Sequence, residues 1–303
     1  MTDNLSPHEL KMPSLPLENG FLQSLQAPQT DTSDFIRIRT VWSRYGMVEV
    51  SQKGEGESIL VLPGMAGGAR LLQPLIDELA NRYSVYWFDW AGEGKCSSIQ
   101  ALRINDHPTR LLADVIDQLP VNGISLFGIS YGGCVALDLA RHRPANVRRL
   151  ILSGTPGRLQ HAWASRLVHK VLTRVPLCSD SAFLNQFFRI LLGESVRNAE
   201  VESFVIDCIW KTDQALMARR LDWLMDFDIH DSLAEINLPT TLITGGCDVV
   251  VPPACQEKLA NTMPDCDMRL IIGAGHLGFL THTNEFLDYI AKAMSQQDFA
   301  AIG

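Results

Sequence analysis

The stretch that decides the fold is Ile124-Ser125-Leu126-Phe127-Gly128-Ile129-Ser130-Tyr131-Gly132-Gly133. Its first four residues form an apolar run that predicts a buried strand, and a helical pattern follows over residues 134–142. A serine between a strand and a helix lies on a very sharp turn, which lifts its hydroxyl clear of the sheet and leaves room only for glycine two residues to either side. The unpaired N–H groups and the positive dipole end of that helix can stabilise an oxyanion. We therefore predict that Ser130 is a nucleophile.

An ordinary glycine-rich turn is the alternative interpretation of this motif. With glycine at ordinary abundance, Gly-x-Ser-x-Gly occurs by chance in roughly one chain in ten of this length. A strand that ends on the motif and a helix that starts from it argue against coincidence. The decision depends on whether the chain also supplies a base and a carboxylate.

Composition and charge limit the class of protein. The 303 residues suffice for one α/β domain with an insertion or for two small domains, and 46% of them are hydrophobic. No stretch approaches the about 18 continuous apolar residues of a membrane span, so we expect no integral membrane segment. The net charge of -8 argues against a nucleic-acid partner, which would need a basic face.

The cysteines and the first residues indicate the compartment. Seven cysteines without Cys-x-x-Cys spacing indicate reduced thiols rather than disulfides or a zinc site. Residues 1–29 carry acidic residues and prolines but lack the apolar segment of a secretory signal. We therefore expect a cytoplasmic protein without a bound metal.

Strand and helix patterns alternate along most of the chain. Strands are predicted at residues 35–41, 46–50, 58–62, 83–88, 124–127, 147–152, 240–244 and 268–272. Helices are predicted at residues 69–81, 107–119, 134–142, 252–262 and 284–294, with Asn105 or Asp106 capping the second. This alternation predicts an α/β fold, a mostly parallel sheet with helices on both faces.

The alternation stops at residues 157–230, where the pattern is helical. We predict an N-terminal arm at 1–33, a core formed by 34–156 and 231–303, and a helical cap at 157–230. A helical block inserted above the carboxyl ends of parallel strands can roof an active site. Most of its aromatic residues are expected to pack cap helices together and a few to line a cavity: Trp163, Phe183, Phe187, Phe188, Phe204, Trp210, Trp223 and Phe227.

A glycine-rich loop, residues 63–68, follows the third predicted strand. It lacks the Gly-x-x-x-x-Gly-Lys-[Ser/Thr] pattern of a phosphate loop, and no Gly-x-Gly-x-x-Gly occurs there. Two interpretations stay open. The loop either bends beside Ser130 and offers a backbone N–H to an oxyanion, or is a plain tight turn into the next helix.

A serine hydroxyl is a poor nucleophile near neutral pH and needs a base that is itself oriented by a carboxylate. Among eight histidines, His276 is distinctive because it follows a predicted strand through a short glycine-rich loop, on the same edge of the sheet as Ser130. A solvated loop histidine is the alternative, and His282 is the fallback base.

Asp248 is the predicted carboxylate, because it follows the strand at 240–244 through three small residues. The valines at 249–251 are expected to shield it from water, and a turn aspartate that caps its own loop is the alternative. The order Ser130, Asp248, His276 is that of the nucleophile-elbow architecture. Cys134 and Cys247 lie beside these groups and are expected to fill small spaces in the interior.

With these residues in place, the chain resembles the α/β-hydrolase superfamily over roughly residues 35–295. Residues 128–132 match the nucleophile elbow, 245–248 are similar to the acid loop, and 275–276 are similar to the histidine loop. Residues 89–97 resemble the Asp-x-x-Gly-x-Gly-x-Ser segment, with Glu93 where histidine is commoner.

The resemblance implies an oxyanion hole formed by the backbone N–H groups of Met65 and Tyr131. The chain has Pro63-Gly64 where the superfamily often has His-Gly, but a backbone donor does not depend on that side chain. Serine at 130 argues against the dehalogenase and epoxide hydrolase branches, which resemble this fold but attack with a carboxylate.

These observations predict a serine hydrolase that cleaves an ester or thioester of a small, largely apolar acyl substrate without a cofactor. Acyl transfer on the same fold and a non-catalytic ligand-binding protein are the alternatives. A cluster of basic residues in the cap is interpreted either as a solvated helical face or as a site for an anionic group on the substrate: Arg158, Arg166, Lys170, Arg174, Arg189 and Arg197.

Overall fold

The computed structural model describes residues 35–94, 107–142, 147–160, 162–194 and 198–296. Its strands are β1 (Arg37–Ser43), β2 (Gly46–Lys53), β3 (Ser58–Leu62), β4 (Ser84–Trp87), β5 (Ile124–Ile129), β6 (Val147–Ser153), β7 (Thr240–Gly245) and β8 (Cys266–Ile271). They form one sheet in the order β1-β2-β4-β3-β5-β6-β7-β8. The pairs β1–β2 and β2–β4 are antiparallel, and every pair from β4 to β8 is parallel.

Ten α-helices are present in the described ranges. They are α1 (Gly68–Leu79), α2 (Pro108–Asp117), α3 (Tyr131–His142), α4 (Ala162–Arg174), α5 (Ala182–Ile190), α6 (Ala199–Trp210), α7 (Gln214–Asp226), α8 (Pro253–Ala260), α9 (Gly278–Thr281) and α10 (Thr283–Ser295). A 3₁₀ helix covers His230–Glu235. None of these helices is long and apolar enough to cross a bilayer.

The predicted α/β class is confirmed, and the eight predicted strands are all present. The helix after β5 begins three residues earlier than predicted, at Tyr131, because the carbonyl of Ser130 already accepts the N–H of Cys134 at 3.0 Å. The proposed caps Asn105 and Asp106 lie outside the described residues.

The sheet is buried on both faces, as expected for parallel strands covered by helices. All six residues of β5 are buried, and consecutive side chains enter opposite cores: Leu126 packs on one face and Phe127 on the other. The edge strand β1 is different, since Ile38 and Trp42 are largely exposed. The centre of the sheet is therefore its most enclosed part, and β5 delivers Ser130 from there.

Helices α4 to α7 lie between β6 and β7, and we call residues 157–230 the helical insertion. Arg158 and Asp228 form an isolated antiparallel bridge where the insertion leaves and rejoins the sheet. Helix α4 packs on α7, and α7 contacts α3 of the elbow. The division into arm, core and cap stays a prediction.

Candidate active site

Ser130 lies on a strained turn between β5 and α3. Its φ of 51° is the only positive φ of a non-glycine residue in the described ranges. Such a conformation costs about 1–3 kcal/mol and persists only where the surroundings enforce it. Here the Ser130 N–H donates to the carbonyl of Ser153 at 2.8 Å, and its carbonyl accepts from Cys134 at 3.0 Å. The hydrogen bond to β6 and the start of α3 together hold the turn.

The positions two residues to either side of Ser130 have no space for a side chain. A Cβ on Gly128 would lie 2.6 Å from the Cα of Gly133, and one on Gly132 would overlap the carbonyl of Leu62. These contacts involve backbone atoms, which cannot rotate away. The elbow therefore brings β5, α3 and the end of β3 closer together than any side chain at 128 or 132 would permit.

His276 and Asp248 are in direct contact at the ends of β8 and β7. Nδ1 of His276 lies 2.8 Å from Oδ2 of Asp248, and the Asp248 side chain is only 1% exposed. The other oxygen, Oδ1, accepts the N–H groups of Val250 and Val251, each at 2.8 Å. When Asp248 is ionised its oxygens only accept hydrogen bonds, so that Nδ1 of His276 is the donor and, in the neutral imidazole, Nε2 has the free lone pair.

Ser130 and His276 line the same cavity, of about 420 Å³, with Asp248 buried behind His276. The structure thus brings Ser130 and His276 to one cavity and puts Asp248 in contact with His276. His282 is not among the cavity's lining residues, and its Nδ1 lies 2.8 Å from the hydroxyl of Thr281. The fallback base is therefore directed elsewhere.

The loop after β3 runs beside Ser130. A Cβ on Gly64 would lie 3.9 Å from the Cβ of Ser130, and Met65 lines the cavity. Within the described ranges, the N–H groups of Met65 and Tyr131 donate to no protein acceptor. Tyr131 is the first residue of α3, where backbone N–H groups are free for a ligand. Both predicted oxyanion donors are thus available.

A family model described as the alpha/beta hydrolase fold matches residues 57–283, about three quarters of the chain. The chain belongs to the α/β-hydrolase fold family. This α/β hydrolase is 27% identical over 234 residues to a putative carbamate hydrolase RutD from Azorhizobium caulinodans, covering 74% of the chain and 85% of the relative. It is 26% identical over 243 residues to a pimeloyl-[acyl-carrier protein] methyl ester esterase from Pseudoalteromonas atlantica, covering 77% and 93%.

Two further likenesses complete the comparison. The chain is 25% identical over 245 residues to the polyketide synthase ThaQ from Burkholderia thailandensis, but spans only 12% of that protein's length. The solved structure of an esterase from Exiguobacterium antarcticum superimposes with a TM-score of 0.77 at 18% identity, over 84% of the chain and 99% of the esterase. The chain is thus an enzyme of the α/β-hydrolase fold, and the relatives named for a single reaction are a putative carbamate hydrolase and a methyl ester esterase.

The walls of the cavity are mainly apolar. The insertion contributes Met217, Leu221 and Leu224, and the sheet side contributes Ile129 and Leu277. Among the insertion's aromatic residues, Phe187 and Phe188 line the cavity, whereas Trp223 stacks on Phe227 and meets the Tyr131 ring edge-on. The expectation that only a few aromatics face the cavity is consistent with this arrangement.

The predicted shielding of Asp248 by three valines is only partly right. Val251 is buried, but Val249 and Val250 are 57% and 43% exposed and lie at the rim of the cavity. The N–H groups of Val250 and Val251 hold the carboxylate, and the Asp248 side chain is almost completely buried. Gly154 lies against His276, since a Cβ there would lie 2.8 Å from its Nδ1.

The loop that carries His276 is fixed by the insertion. The N–H of Leu277 donates to the carbonyl of Leu191 at 2.8 Å, and the N–H of Gly275 donates to Leu192 at 3.3 Å. In the other direction, Glu194 donates to Gly273 at 3.2 Å. A short backbone ladder after α5 therefore holds the histidine loop, which periodicity in the sequence did not reveal.

The basic residues of the insertion are not one group. Arg158 pairs with Asp228 at 3.3 Å and Arg189 with Glu202 at 2.7 Å. A second set is exposed and forms no ion pair within the described residues: Arg166, Lys170 and Arg174. Arg197 lies outside the described residues. Of the predicted cationic set, Arg158 alone lines the cavity in the described structure.

The two cysteines near the site differ in burial. Cys134 is fully buried, and burial raises the pKa of its thiol, so it is not a thiolate near neutral pH. Its Sγ lies 3.4 Å from the carbonyl of Pro156, as expected for a packing residue. Cys247 is half-buried rather than interior, which corrects its expected position.

A buried ionic cluster beside the Met65 loop was not predicted. Arg220 on α7 is completely buried, and its Nη1 lies 2.9 Å from Oε2 of Glu93. The hydroxyl of Thr212 donates to the other oxygen of Glu93. Burial raises the pKa of Glu93 above its ordinary value of 4.5, while Arg220 and Thr212 oppose that rise. The available signal was glutamate at position 93, where the superfamily commonly has histidine.

Proposed function

We propose that this α/β hydrolase cleaves esters or thioesters through an acyl-enzyme on Ser130. The observation that carries the proposal is the cavity shared by the strained Ser130 turn and by His276, whose Nδ1 lies 2.8 Å from Asp248. A nucleophile, a base and a carboxylate that orients the base are the three groups that acyl transfer to serine requires.

In the proposed mechanism, Nε2 of His276 accepts the proton of the Ser130 hydroxyl as its oxygen attacks the substrate carbonyl. Asp248 keeps the imidazole in the tautomer that leaves Nε2 free, and stabilises the imidazolium that forms. The N–H groups of Met65 and Tyr131 bind the oxyanion. The imidazolium then protonates the leaving alcohol or thiol, and water attacks the acyl-enzyme by the same steps.

The cavity supports an apolar substrate. Its volume of about 420 Å³ is in the range of small-molecule sites, and its walls carry methionine, leucine and phenylalanine side chains. Within the described lining of the cavity, Arg158 is the one guanidinium that could bind an anionic group on the substrate. Its charge is partly neutralised by Asp228. Two of the relatives are named for the hydrolysis of a carbamate and of a methyl ester, which also favours acyl chemistry.

The proposal extends to partner and compartment. The net charge of -8 favours a small-molecule partner over a nucleic acid. All six described cysteines are free, which supports a reducing, cytoplasmic location.

The deciding experiment compares two serines of the same cavity. We expect Ser130→Ala to abolish hydrolysis of p-nitrophenyl acyl esters and labelling by a fluorophosphonate probe, because the probe requires an activated serine. Ser165→Ala, which removes a hydroxyl from the same lining, is the control and should retain both. Unchanged turnover by a folded Ser130→Ala enzyme would refute the proposal, and product analysis with an added alcohol separates hydrolysis from acyl transfer.

A further inference from the structure

Arg220 is a completely buried cation in the helical insertion. Removing a guanidinium from water carries a large free-energy penalty that an opposite charge only offsets, and Glu93 provides that charge at 2.9 Å. Its Nε and Nη2 have no hydrogen-bond partner within the described residues. A pair of apolar side chains would commonly be as stable or more so at such a position. Stability alone therefore does not account for this ion pair.

The contacts of Arg220 are directed at the proposed oxyanion hole. Its Nη1 donates to the carbonyl of Met65 at 2.7 Å, and its guanidinium lies 6.0 Å from the centre of the Tyr131 ring. Met65 and Tyr131 are the two residues whose N–H groups are proposed to bind the oxyanion. One side chain of the insertion thus hydrogen-bonds to Met65 and lies over the ring of Tyr131.

The loop from Pro63 to Gly67 is held at three points. Trp90 donates its indole N–H to the carbonyl of Pro63 at 2.8 Å, Arg220 holds the carbonyl of Met65, and Thr212 accepts the N–H of Gly67 at 2.9 Å. Arg220 and Thr212 belong to the insertion, and both are joined to Glu93. Glu93 therefore links the two anchors that the insertion supplies.

We propose that Arg220, held in place by Glu93, is a positioning residue: by holding the carbonyl of Met65 it fixes the loop at this residue, and with it the preceding peptide bond, whose N–H is proposed to bind the oxyanion. The insertion is then part of the catalytic machinery as well as a wall of the cavity. A donor that is aligned before the reaction loses no free energy to reorganisation as charge develops on the substrate, which is why its orientation affects kcat. This inference rests on the proposed function.

The test uses the full chain with Arg220→Met, and with Arg219→Met as control, because Arg219 is the exposed neighbour on the same helix. We expect Arg220→Met to lower kcat for a p-nitrophenyl ester by roughly 10- to 100-fold with KM within about threefold, a part of the loss seen when an oxyanion donor is removed. The inhibition constant of a trifluoromethyl ketone, which forms an oxyanion on the serine, should rise by a similar factor. Arg220→Lys should recover part of both losses, and Arg219→Met should match the parent.

Three results would overturn the inference. They are an unchanged kcat in Arg220→Met, a rise in KM alone, or a lower kcat with unaltered ketone inhibition. If Arg220→Met does not fold, the variant Arg220→Met/Glu93→Met, which removes both buried charges, replaces it with the same expectations. Ser130→Ala measured in parallel separates the two proposals: an inactive Ser130→Ala with a fully active Arg220→Met rejects only the role of Arg220.

Discussion

The loops at the carboxyl ends of β5, β7 and β8 differ from the helical insertion in how firmly they are built. Every residue of β5 and β7 is buried, and their ends carry Ser130 and Asp248. Helix α5 of the insertion has no buried residue, and Trp163 and Phe183 are 70% and 82% exposed. The proposed reacting groups, which would have to be held within a fraction of an ångström, are on the buried part, whereas the outer helices of the insertion are loosely packed.

This contrast predicts that changes at the strand ends act on kcat, whereas changes at the exposed rim of the insertion, away from the buried Arg220, act on substrate preference. Asp248→Asn provides the largest expected effect. The asparagine carbonyl can still accept hydrogen bonds from the N–H groups of Val250 and Val251. Its amide NH2, however, would face Nδ1 of His276 and favour the tautomer that carries its proton on Nε2. We expect kcat to fall by about 10³- to 10⁴-fold while the thermal midpoint changes little.

The control for Asp248→Asn is Asp265→Asn, which makes the same chemical change at an exposed position before β8. Steady-state kinetics and a thermal melt of both variants decide the matter. Equal activity of the two would show that the carboxylate contacting His276 has no role in turnover.

A smaller effect is expected from Val168→Trp in the insertion. Val168 is 48% exposed and lies at the rim of the cavity. The larger tryptophan side chain should therefore narrow the entrance of the cavity without overpacking the protein interior. For long acyl esters we expect kcat/KM to fall roughly three- to tenfold, which corresponds to the loss of about one buried methylene or two. Acetyl esters should be hydrolysed as before.

Leu167→Trp is the matched control, because Leu167 is the preceding residue, is also exposed and does not line the cavity. A panel of p-nitrophenyl esters of increasing chain length measures both variants. If Val168→Trp lowers kcat/KM by the same factor for every ester in the panel, the substitution affects the chemical step rather than the preference for acyl chain length.

The smallest effect is expected at the junction of the two regions, from Asp228→Asn. Burial alone would raise the pKa of Asp228, but hydrogen bonds from the backbone and ring of His230, with the charge of Arg158, lower it below the ordinary 3.8. A lowered carboxyl pKa stabilises the folded state above pH 3.8, and the gain is lost as the pH falls through the folded value. At pH 7 the loss in the variant should be at most about 1 kcal/mol, since the pair is half-exposed.

Urea denaturation of Asp228→Asn and the parent at pH 7, 5 and 3 checks this expectation. The difference in the free energy of unfolding should be smaller at pH 3 than at pH 5. A difference that grows between pH 5 and pH 3 would contradict the assigned direction of the pKa shift.

The parts of the fold and site that the sequence predicted are those set by local rules. Strand β5 follows from an apolar run in the sequence. The turn at Ser130 follows from the two flanking glycines, because a Cβ at either position would clash with neighbouring backbone atoms. His276 and Asp248 could be placed at one edge because parallel strands end on the same side of a sheet. Their direct contact, at 2.8 Å, agrees with that argument.

The Arg220–Glu93 pair could not be predicted in this way. Arg219 and Arg220 are adjacent and identical in type, yet the first is exposed and the second is completely buried. The helical phase that distinguishes them is fixed by packing against α3 and the Met65 loop, and Glu93 is far away in the chain. Side chains recruited from a distant segment leave no periodic signal in the sequence.

The ladder between residues 191–194 and the histidine loop has a consequence for recombination between relatives. A chimaera that exchanges residues 157–230 as a cassette would also replace Leu191 and Leu192, whose carbonyls accept the N–H groups of Leu277 and Gly275. Position 193, where the insertion meets the histidine loop, cannot carry a side chain, since a Cβ on Gly193 would overlap the carbonyl of Gly273. Donor cassettes therefore have to match the acceptor's histidine loop at this contact, which restricts how freely new substrate ranges can be acquired by shuffling.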